Sequence, residues 1–312
     1  MERRDFLKTA LAGSVASASA RAAAAPVPKR RFRDDVELSI IGLGGIVVCG
    51  MEQKDADAMV AHSFACGVNY FDVAPTYFDG EAETKLGSAL KPYRKKVFLA
   101  CKTTRRDAKG AREELEQSLR RLQTDHLDLY QFHAVTKPED VEQILGPNGA
   151  AETFLKARQE GKVRYLGCSA HSEQAAIAML DRFKLDSILF PINFVSFTQA
   201  NFGPRVIAHA KEKGTARLAL KALALTPFTG RDDPARSGHP KSWYRPIDDR
   251  ELASKALRFT LSEDITAAIP PGDEKVYSMA LELAAEFKPL SPAEREAVIA
   301  AARGIKPLFP LA

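Results

Sequence analysis

The most constraining feature of this sequence is a regular alternation of short apolar runs with longer amphipathic segments. Short apolar runs bounded by glycine, proline or polar residues are typical of strands, and strands that alternate with helices predict parallel strand–helix–strand units. Eight such units can be counted, and their predicted strands are residues 38–45, 68–72, 97–103, 127–133, 163–169, 187–195, 217–225 and 265–269. A chain of 312 residues fits one large α/β barrel or two smaller domains, and eight units leave no need for a second domain.

The helices predicted between these strands have apolar faces and recognisable ends. Leu115, Leu119 and Leu122 fall on one stripe of the helix that follows the third strand. Ser172 is placed to cap the helix after the fifth strand. Ser291, with a proline directly after it, predicts the start of an additional C-terminal helix.

Polar residues stand at the ends of three successive predicted strands. Asp72 ends the second strand, and Tyr77 follows it on a loop. Lys102 and His133 stand at the ends of the third and fourth strands. In a barrel of such units, the carboxyl ends of the strands and the loops after them meet at one mouth. Each residue alone has an ordinary structural explanation, but together the four predict one shared site.

Four segments around these positions resemble the aldo/keto reductase superfamily. In chain order they read FDVAPTY, LACKT, LDLYQFH and GKVRYLGCSAH. The resemblance implies a (β/α)8 TIM barrel and a catalytic tetrad, which falls on Asp72, Tyr77, Lys102 and His133. It also implies that NADPH delivers a hydride to a carbonyl substrate, an aldehyde or a ketone, while Tyr77 protonates the nascent alkoxide.

The tetrad has a chemical rationale that starts from the tyrosine. A phenol with its ordinary pKa of about 10 is a sluggish proton donor at neutral pH. We therefore expect the ammonium of Lys102 to lower the pKa of Tyr77, and Asp72 to hold that ammonium charged and oriented. His133 is expected to contact the carbonyl oxygen and orient the substrate.

The resemblance also implies cofactor contacts on the fifth and sixth strands, where this chain departs from the family pattern. Ser169 matches the serine that binds the nicotinamide carboxamide, but the asparagine expected next is Ala170, followed by His171. On the sixth strand the expected glutamine is Leu189, whereas Asn193 is retained. We expect Ser169, His171 and Asn193 to contact the cofactor.

Further cofactor contacts are implied on the seventh and eighth strands. Lys221 matches the lysine of a methionine–lysine pair in one branch of the family, and the eighth strand leads into a turn with Gly272 and Lys275. Asp273 and Glu274 stand where positive charge would suit the adenosine 2′-phosphate, and an acidic residue binds a free ribose hydroxyl instead. NADPH is the favoured cofactor, with NADH as the alternative.

The first 25 residues resemble a twin-arginine export signal. Arg3 and Arg4 are followed by Phe6 and Leu7, then by a weakly apolar alanine-rich segment with small-residue cleavage sites. A disordered alanine-rich tail is the alternative. The signal predicts the twin-arginine export machinery as a partner and a periplasmic or cell-envelope location. Residues 26–312 then form the barrel with its C-terminal helix.

Charge and cysteine spacing exclude several function classes. The net charge of +5 falls to +3 beyond residue 25, and the basic cluster at residues 29–33 is followed directly by two aspartates, which predicts a solvated segment and no nucleic-acid partner. The 4 cysteines have no metal-ligand spacing, and whether any of them pair is open. The mature chain has no apolar stretch long enough to predict a membrane span.

Two alternatives are open at this point. Residues 226–248 contain Trp243 and Tyr244 and predict either a flap over the mouth or a disordered loop, and we favour the flap. The whole chain is either a reductase or a non-catalytic, regulatory barrel that binds a nucleotide. The altered cofactor contacts and the scarcity of free cofactor outside the cytoplasm favour the binding barrel, whereas the complete tetrad favours the enzyme.

Overall fold

The computed structural model describes residues 25–230 and 236–309, and nearly all of the predicted export signal, residues 1–24, lies outside these ranges. Eight parallel strands form one barrel within the described chain. The strands, in chain order, are β1 Lys29–Arg33, β2 Val36–Ser39, β3 Leu43–Gly44, β4 Tyr70–Asp72, β5 Phe98–Thr103, β6 Leu127–Val135, β7 Val163–Ala170, β8 Ser187–Pro191, β9 Ala216–Leu220, β10 Ala224–Pro227, β11 Tyr244–Pro246 and β12 Ala267–Ile269.

The barrel strands are neighbours in the order β3 to β9 and then β12, and every pair is parallel. The barrel closes where Ile41 bridges Ala268, because Gly42 N donates to Ala268 O (3.0 Å) and Ala268 N donates to Ile40 O (2.8 Å). The predicted (β/α)8 barrel is confirmed. The carboxyl ends of the strands form its mouth, and their amino ends form its base.

Helices pack their apolar faces around the outside of the barrel. The predicted cap is present where Ser172 Oγ accepts from Ala175 N, and Ser291 forms a capping box at the start of the last helix. No helix in the described part of the chain is long and apolar enough to cross a membrane. The helices are α1 Gln53–Ala65, α2 Glu81–Leu90, α3 Ala108–Arg121, α4 Pro138–Leu145, α5 Ala150–Gln159, α6 Glu173–Arg182, α7 Phe194–Gln199, α8 Pro204–Glu212, α9 Arg250–Ser262, α10 Glu274–Ala285 and α11 Pro292–Ala301.

Two strands are shorter than their apolar runs predict. β8 ends at Pro191 instead of residue 195, because Asn193 Oδ1 accepts from Ser196 N (2.9 Å) and caps helix α7. β9 ends at Leu220, because Lys221 adopts a left-handed φ of 69° that a strand does not accommodate. The apolar residues beyond each break are buried in new elements, so hydrophobicity alone does not mark these strand ends.

The basic segment after the predicted signal is the first strand of a hairpin, whose basic side chains are exposed or half-buried while Phe32 is buried. β1 pairs antiparallel with β2, and Phe32 packs edge-on against Phe98 (5.1 Å) and Tyr165 (5.4 Å) in the base of the barrel. Arg30 donates to two carbonyl groups at the end of α9 and just after it, and Val27 N donates to Cys66 O (2.8 Å). The hairpin therefore closes the barrel on the side opposite the mouth.

Candidate active site

A buried ion pair lies at the centre of the mouth. Lys102 on β5 donates through Nζ to Asp72 Oδ1 at the end of β4, and their side chains are only 1% and 3% exposed. Lys102 Nζ also donates to Val73 O (3.0 Å). The other oxygen of Asp72 accepts from Gln131 Nε2 (2.9 Å) and from the Tyr70 hydroxyl (3.3 Å). The carboxylate is thus fully satisfied, as a buried charge requires.

Tyr77 extends this pair toward the cavity. Lys102 Nζ donates to the Tyr77 hydroxyl at 3.4 Å and lies 5.0 Å from the centre of its ring. The backbone after Tyr77 is left-handed at Phe78 (φ 50°) and Asp79 (φ 52°), two conformations that L residues rarely adopt. Such strain persists where the surrounding structure holds it, and here it follows directly the residue that the resemblance makes the proton donor.

The direction of the Tyr77 pKa differs from the expectation. Burial raises the pKa of Tyr77 above its ordinary value, and the ammonium of Lys102, which acts in the opposite direction, does not outweigh it. Burial by itself lowers the pKa of Lys102, but the nearby Asp72 and Tyr77 raise it overall. At neutral pH the phenol is therefore protonated and the lysine charged, which is the arrangement of a proton donor beside a fixed cation.

His133 completes the predicted tetrad with a neutral ring. Burial lowers its pKa well below the usual value, and the positive charge of Lys102 lowers it further. Its ring lies 5.8 Å from that of Tyr77, nearly perpendicular, and its buried Nδ1 has no hydrogen-bond partner among the described residues. Ala134, next in the chain, is left-handed with φ 52°. A neutral histidine beside Tyr77 is suited to hydrogen-bond a carbonyl oxygen.

These side chains line one cavity of about 240 Å³ at the mouth. Of the ten predicted site residues, the cavity brings eight together, namely Asp72, Tyr77, Lys102, His133, Ser169, His171, Lys221 and Gly272. The other two lie outside it. Asn193 is buried just after β8, a strand of the cavity wall, and does not line the cavity. Lys275 is exposed and lines a different cavity together with His239 and Asp248.

Several features of this mouth fit an amide-bearing ligand such as a nicotinamide. The Oγ of Ser169 and the Nδ2 of Asn193 are buried and lack hydrogen-bond partners within the described residues. Ala170 packs into the hydrophobic core, while the next residue, His171, faces the cavity and stacks on Phe309 with ring centres 5.7 Å apart. His171 therefore occupies the mouth where the family asparagine is missing.

Lys221 is the second cation in the cavity. Its Nζ lies 5.0 Å from the ring centre of Trp243 and 4.6 Å from that of Tyr244. Burial, with a smaller effect of the charge on Lys102, lowers the pKa of Lys221 to about 8. Lys221, which the resemblance assigns to the cofactor, thus contacts two aromatic rings of the predicted flap, and no carboxylate among the described residues pairs with it.

The two acidic residues after β12 have internal partners. Asp273 accepts from Lys275 N and Val276 N (3.0 Å each) at the start of α10, and it lies 3.0 Å from His239 Nδ1. Glu274 is exposed and pairs with Lys241 Nζ at 2.8 Å. The carboxylate of Asp273 is consequently engaged in capping the helix and holding the flap.

The described part of the flap contacts the residues that follow β3. Lys241 Nζ also donates to Val47 O (2.9 Å), and Trp243 lines the mouth while remaining 57% exposed. From the other side, the chain after α11 reaches the mouth, where Thr226 donates to Lys306 O (3.0 Å) and Phe309 stacks on Phe202 (5.1 Å). The flap and this C-terminal segment together form the rim of the cavity.

Three contributors to the site do not follow from the motifs. Gln131 and Tyr70, which bond Asp72, lie two residues before His133 and Asp72 respectively, on the same face of their strands. That two-residue spacing is the signal that would have found them. Phe309 had no such signal, because it reaches His171 only through the tertiary fold.

The described ranges contain no group of three or more histidine, cysteine, aspartate or glutamate side chains placed to hold a metal ion. The four cysteines are free, and three of them are buried.

Comparison with known proteins agrees with this architecture. The Aldo/keto reductase family matches residues 40–293. The aldo-keto reductase YhdN of Bacillus subtilis is 31% identical over 217 residues, which are 63% of this chain and 62% of YhdN. Two solved structures share the fold. The aldo-keto reductase AKR11C1 from Bacillus halodurans (holo form) has a TM-score of 0.69 and 24% identity over 90% of this chain and 98% of its own. An aldo/keto reductase from Klebsiella pneumoniae in complex with NADP and acetate has a TM-score of 0.65 and 20% identity over 91% and 99%.

The family match covers most of the barrel, from the residue before the closing bridge to the start of the last helix. It includes every residue of the predicted tetrad and every predicted cofactor contact. The chain therefore belongs to the aldo/keto reductase family.

Proposed function

We propose that this protein reduces a small aldehyde or ketone to an alcohol with a nicotinamide cofactor, NADPH in preference to NADH. The observation that carries the proposal is the continuous hydrogen-bonded chain from Asp72 through Lys102 to Tyr77, which ends in the mouth cavity. A bound nicotinamide supplies the hydride. The solved relative from Klebsiella pneumoniae, which holds NADP, supports this choice of cofactor.

The protein's own residues manage the proton. Tyr77 is protonated at neutral pH because burial raises its pKa, so its hydroxyl is ready to protonate the developing alkoxide. The phenolate left behind is stabilised by the Lys102 ammonium 3.4 Å away, and Asp72 keeps that ammonium in place. Neutral His133 donates a hydrogen bond to the carbonyl oxygen and so polarises it and orients the substrate.

Residues on the opposite side of the mouth hold the cofactor. Ser169 offers a buried hydroxyl group in the cavity that has no partner among the described residues, and His171 provides a neutral ring where an asparagine is absent. Asn193 offers a second such polar atom, but from behind the cavity wall. At Gly272, a Cβ atom would lie 2.3 Å from a side-chain carbon of Ile46, so only glycine fits between these two loops. These contacts are compatible with a dinucleotide laid across the mouth.

A binding titration followed by a turnover assay tests this function. NADPH and NADH are titrated against the chain from residue 26 onward, and a panel of aldehydes and ketones is then screened at saturating cofactor. We expect tight binding of at least one cofactor, with NADPH preferred, and reduction of at least one carbonyl. Cofactor binding with no turnover of any carbonyl would favour the regulatory barrel instead.

For an uncharged substrate, neither His133 nor Tyr77 should give an inflection in carbonyl reduction between about pH 6 and 9, so that a change near pH 8 would report Lys221. His133 stays neutral over this range because its pKa is well below the usual value, and Tyr77 stays protonated because its pKa is raised. Activity is then lost only on the alkaline side, as the pH rises past the pKa of Tyr77. The measurement is kcat/KM for 4-nitrobenzaldehyde across this range. An inflection near pH 6.5 that disappears in His133→Gln would show that the histidine titrates.

We also propose that the chain is exported by the twin-arginine machinery and acts in the periplasm or cell envelope. The support is the amino-terminal pattern that begins with Arg3 and Arg4. Such signals move folded proteins, which would allow a cofactor to be loaded before export.

Replacing both Arg3 and Arg4 by lysine should abolish export and leave the full-length chain in the cytoplasmic fraction. Lysine keeps the charge but not the guanidinium group, so the effect reports recognition and not electrostatics. Arg21→Lys, in the same segment, is the matched control and should be exported normally. Export of the double variant at the normal level would contradict the proposed signal.

A further inference from the structure

Lys221 presents an ammonium group to the mouth and has no acidic partner within the part of the chain that the structure describes. None of the carboxylates in the described chain lies within 4.0 Å of it, and its nearest polarisable groups are the rings of Trp243 and Tyr244. The residue also sits in a left-handed backbone conformation, with φ 69°, immediately after β9. Conformations of this kind concentrate at ligand-binding positions, where the strain is held for a purpose.

Among the described residues, the charges that line the cavity do not balance. Asp72 is the only carboxylate among the described residues that line it, and its charge is matched by Lys102. Lys221 is therefore an excess positive charge inside a partly desolvated space. The effect is visible at His133 and His171, because the charge of Lys221 is one of the factors, after burial, that lower the pKa of each ring.

We propose that Lys221 binds a carboxylate group of the carbonyl substrate, so that the enzyme is selective for small oxo acids. This inference rests on the proposed reductase function and names the class of its substrate. The carbonyl group contacts Tyr77 and His133, and the carboxylate contacts Lys221, which lines the same cavity of about 240 Å³.

A structural role for Lys221 is the competing explanation. A cation over an aromatic face stabilises the contact, and Lys221 holds the flap through two such faces. In this structural role, Lys221 would not distinguish a charged substrate from a neutral one. The two explanations differ in what happens when the charge is removed but the aliphatic side chain is retained.

The test uses two aldehydes of nearly equal size, 4-carboxybenzaldehyde and its neutral methyl ester. We expect wild-type protein to prefer the acid in kcat/KM. In Lys221→Met the ratio of kcat/KM for the acid to that for the ester should fall by about tenfold or more, the value of a charge-assisted hydrogen bond. Lys221→Arg should keep part of the preference. Lys255→Met removes an exposed cation on α9 that is paired with Glu251, and it should leave kcat/KM unchanged for both aldehydes.

A binding measurement separates this inference from the reductase proposal. Trp243 is the only tryptophan of the chain and its ring lies 5.0 Å from Lys221 Nζ, so an anion at Lys221 changes its fluorescence. Benzoate should give a saturable change with wild type and Lys255→Met, and none with Lys221→Met or Lys221→Gln. Thermal melts of both Lys221 variants identify any that do not fold.

The outcomes are distinct. Benzoate binding by a protein that reduces neither aldehyde nor any carbonyl of the panel supports the anion site and contradicts the reductase. Equal reduction of both aldehydes, unchanged in Lys221→Met, overturns the anion site and leaves the reductase intact. A weaker affinity for NADPH in Lys221→Met, with the preference between the aldehydes unchanged, also overturns it, because the lysine would then bind the cofactor.

Discussion

Replacing Tyr77 by phenylalanine should lower kcat for carbonyl reduction by about a hundredfold to ten-thousandfold, the range that a positioned general acid contributes. The substitution removes one hydroxyl group and keeps the ring, so the packing against His133 and the cation–π contact with Lys102 are retained. Cofactor affinity and folding stability should change little. The loss should appear equally in kcat and kcat/KM, because the hydroxyl acts on the transition state and not on substrate binding.

Tyr93→Phe provides a matched control for this result. Tyr93 stacks on Phe64 with ring centres 4.5 Å apart and takes no part in lining the mouth cavity. Its variant should reduce the same substrate at the wild-type rate. Unchanged turnover in Tyr77→Phe would remove the tyrosine from the mechanism, and a bound water would have to be considered as the proton donor.

Replacing Lys102 by methionine should destabilise the fold by about 3 to 5 kcal/mol and abolish carbonyl reduction. The destabilisation follows because Asp72, with a side chain only 3% exposed, is left charged without its cation. The two remaining donors, Gln131 and Tyr70, are neutral and replace only part of that interaction. Urea denaturation followed by circular dichroism measures the free energy of unfolding.

The double variant Asp72→Asn/Lys102→Met separates stability from catalysis. Removing both charges takes away the uncompensated carboxylate, so most of the lost stability should return. Reduction should stay abolished, because no cation then stabilises the phenolate of Tyr77. If the single Lys102 variant were as stable as wild type, the buried ion pair would not be needed to stabilise the fold.

The barrel and the meeting of polar side chains at its mouth could be predicted because both depend on local patterns, whereas the roles of the four tetrad residues came from the family resemblance. Strands β4, β5 and β6 each carry a polar residue at or near the end of an apolar run, and parallel strands bring those ends together whatever the details of the loops. Asp72, Lys102 and His133 were placed correctly for this reason. The pairing of Asp72 with Lys102 was also predictable, since a buried carboxylate requires a cation or several hydrogen-bond donors.

The misplaced strand ends have a different origin. The apolar run after β8 continues through Phe194 and Val195, but Asn193 caps a helix there, and the run after β9 is interrupted by the left-handed Lys221. Both features are decided by backbone geometry and tertiary contacts, which hydrophobicity does not report. The hairpin at the base was missed because its charged residues conceal Phe32, a single buried aromatic residue.

The pKa of Tyr77 was beyond sequence reasoning for a quantitative reason. The charge of Lys102 acts in the expected direction, but the net shift depends on how deeply the phenol is buried, and burial is the larger effect. Burial of one hydroxyl group is a property of the assembled mouth, including the flap and the C-terminal segment. The residue types indicate whether each contribution raises or lowers the pKa of Tyr77, but they do not indicate which contribution is larger.

The hairpin at the base of the barrel determines how the protein is best handled in the laboratory. Because Val27 is tied to Cys66 and Phe32 is packed into the base, the described chain starts on the face opposite the mouth. An affinity tag or fluorescent partner joined ahead of residue 25 therefore begins far from the substrate opening. The same label joined after residue 309 would begin at the rim, beside the ring of His171, and would obstruct the reaction that it was meant to report.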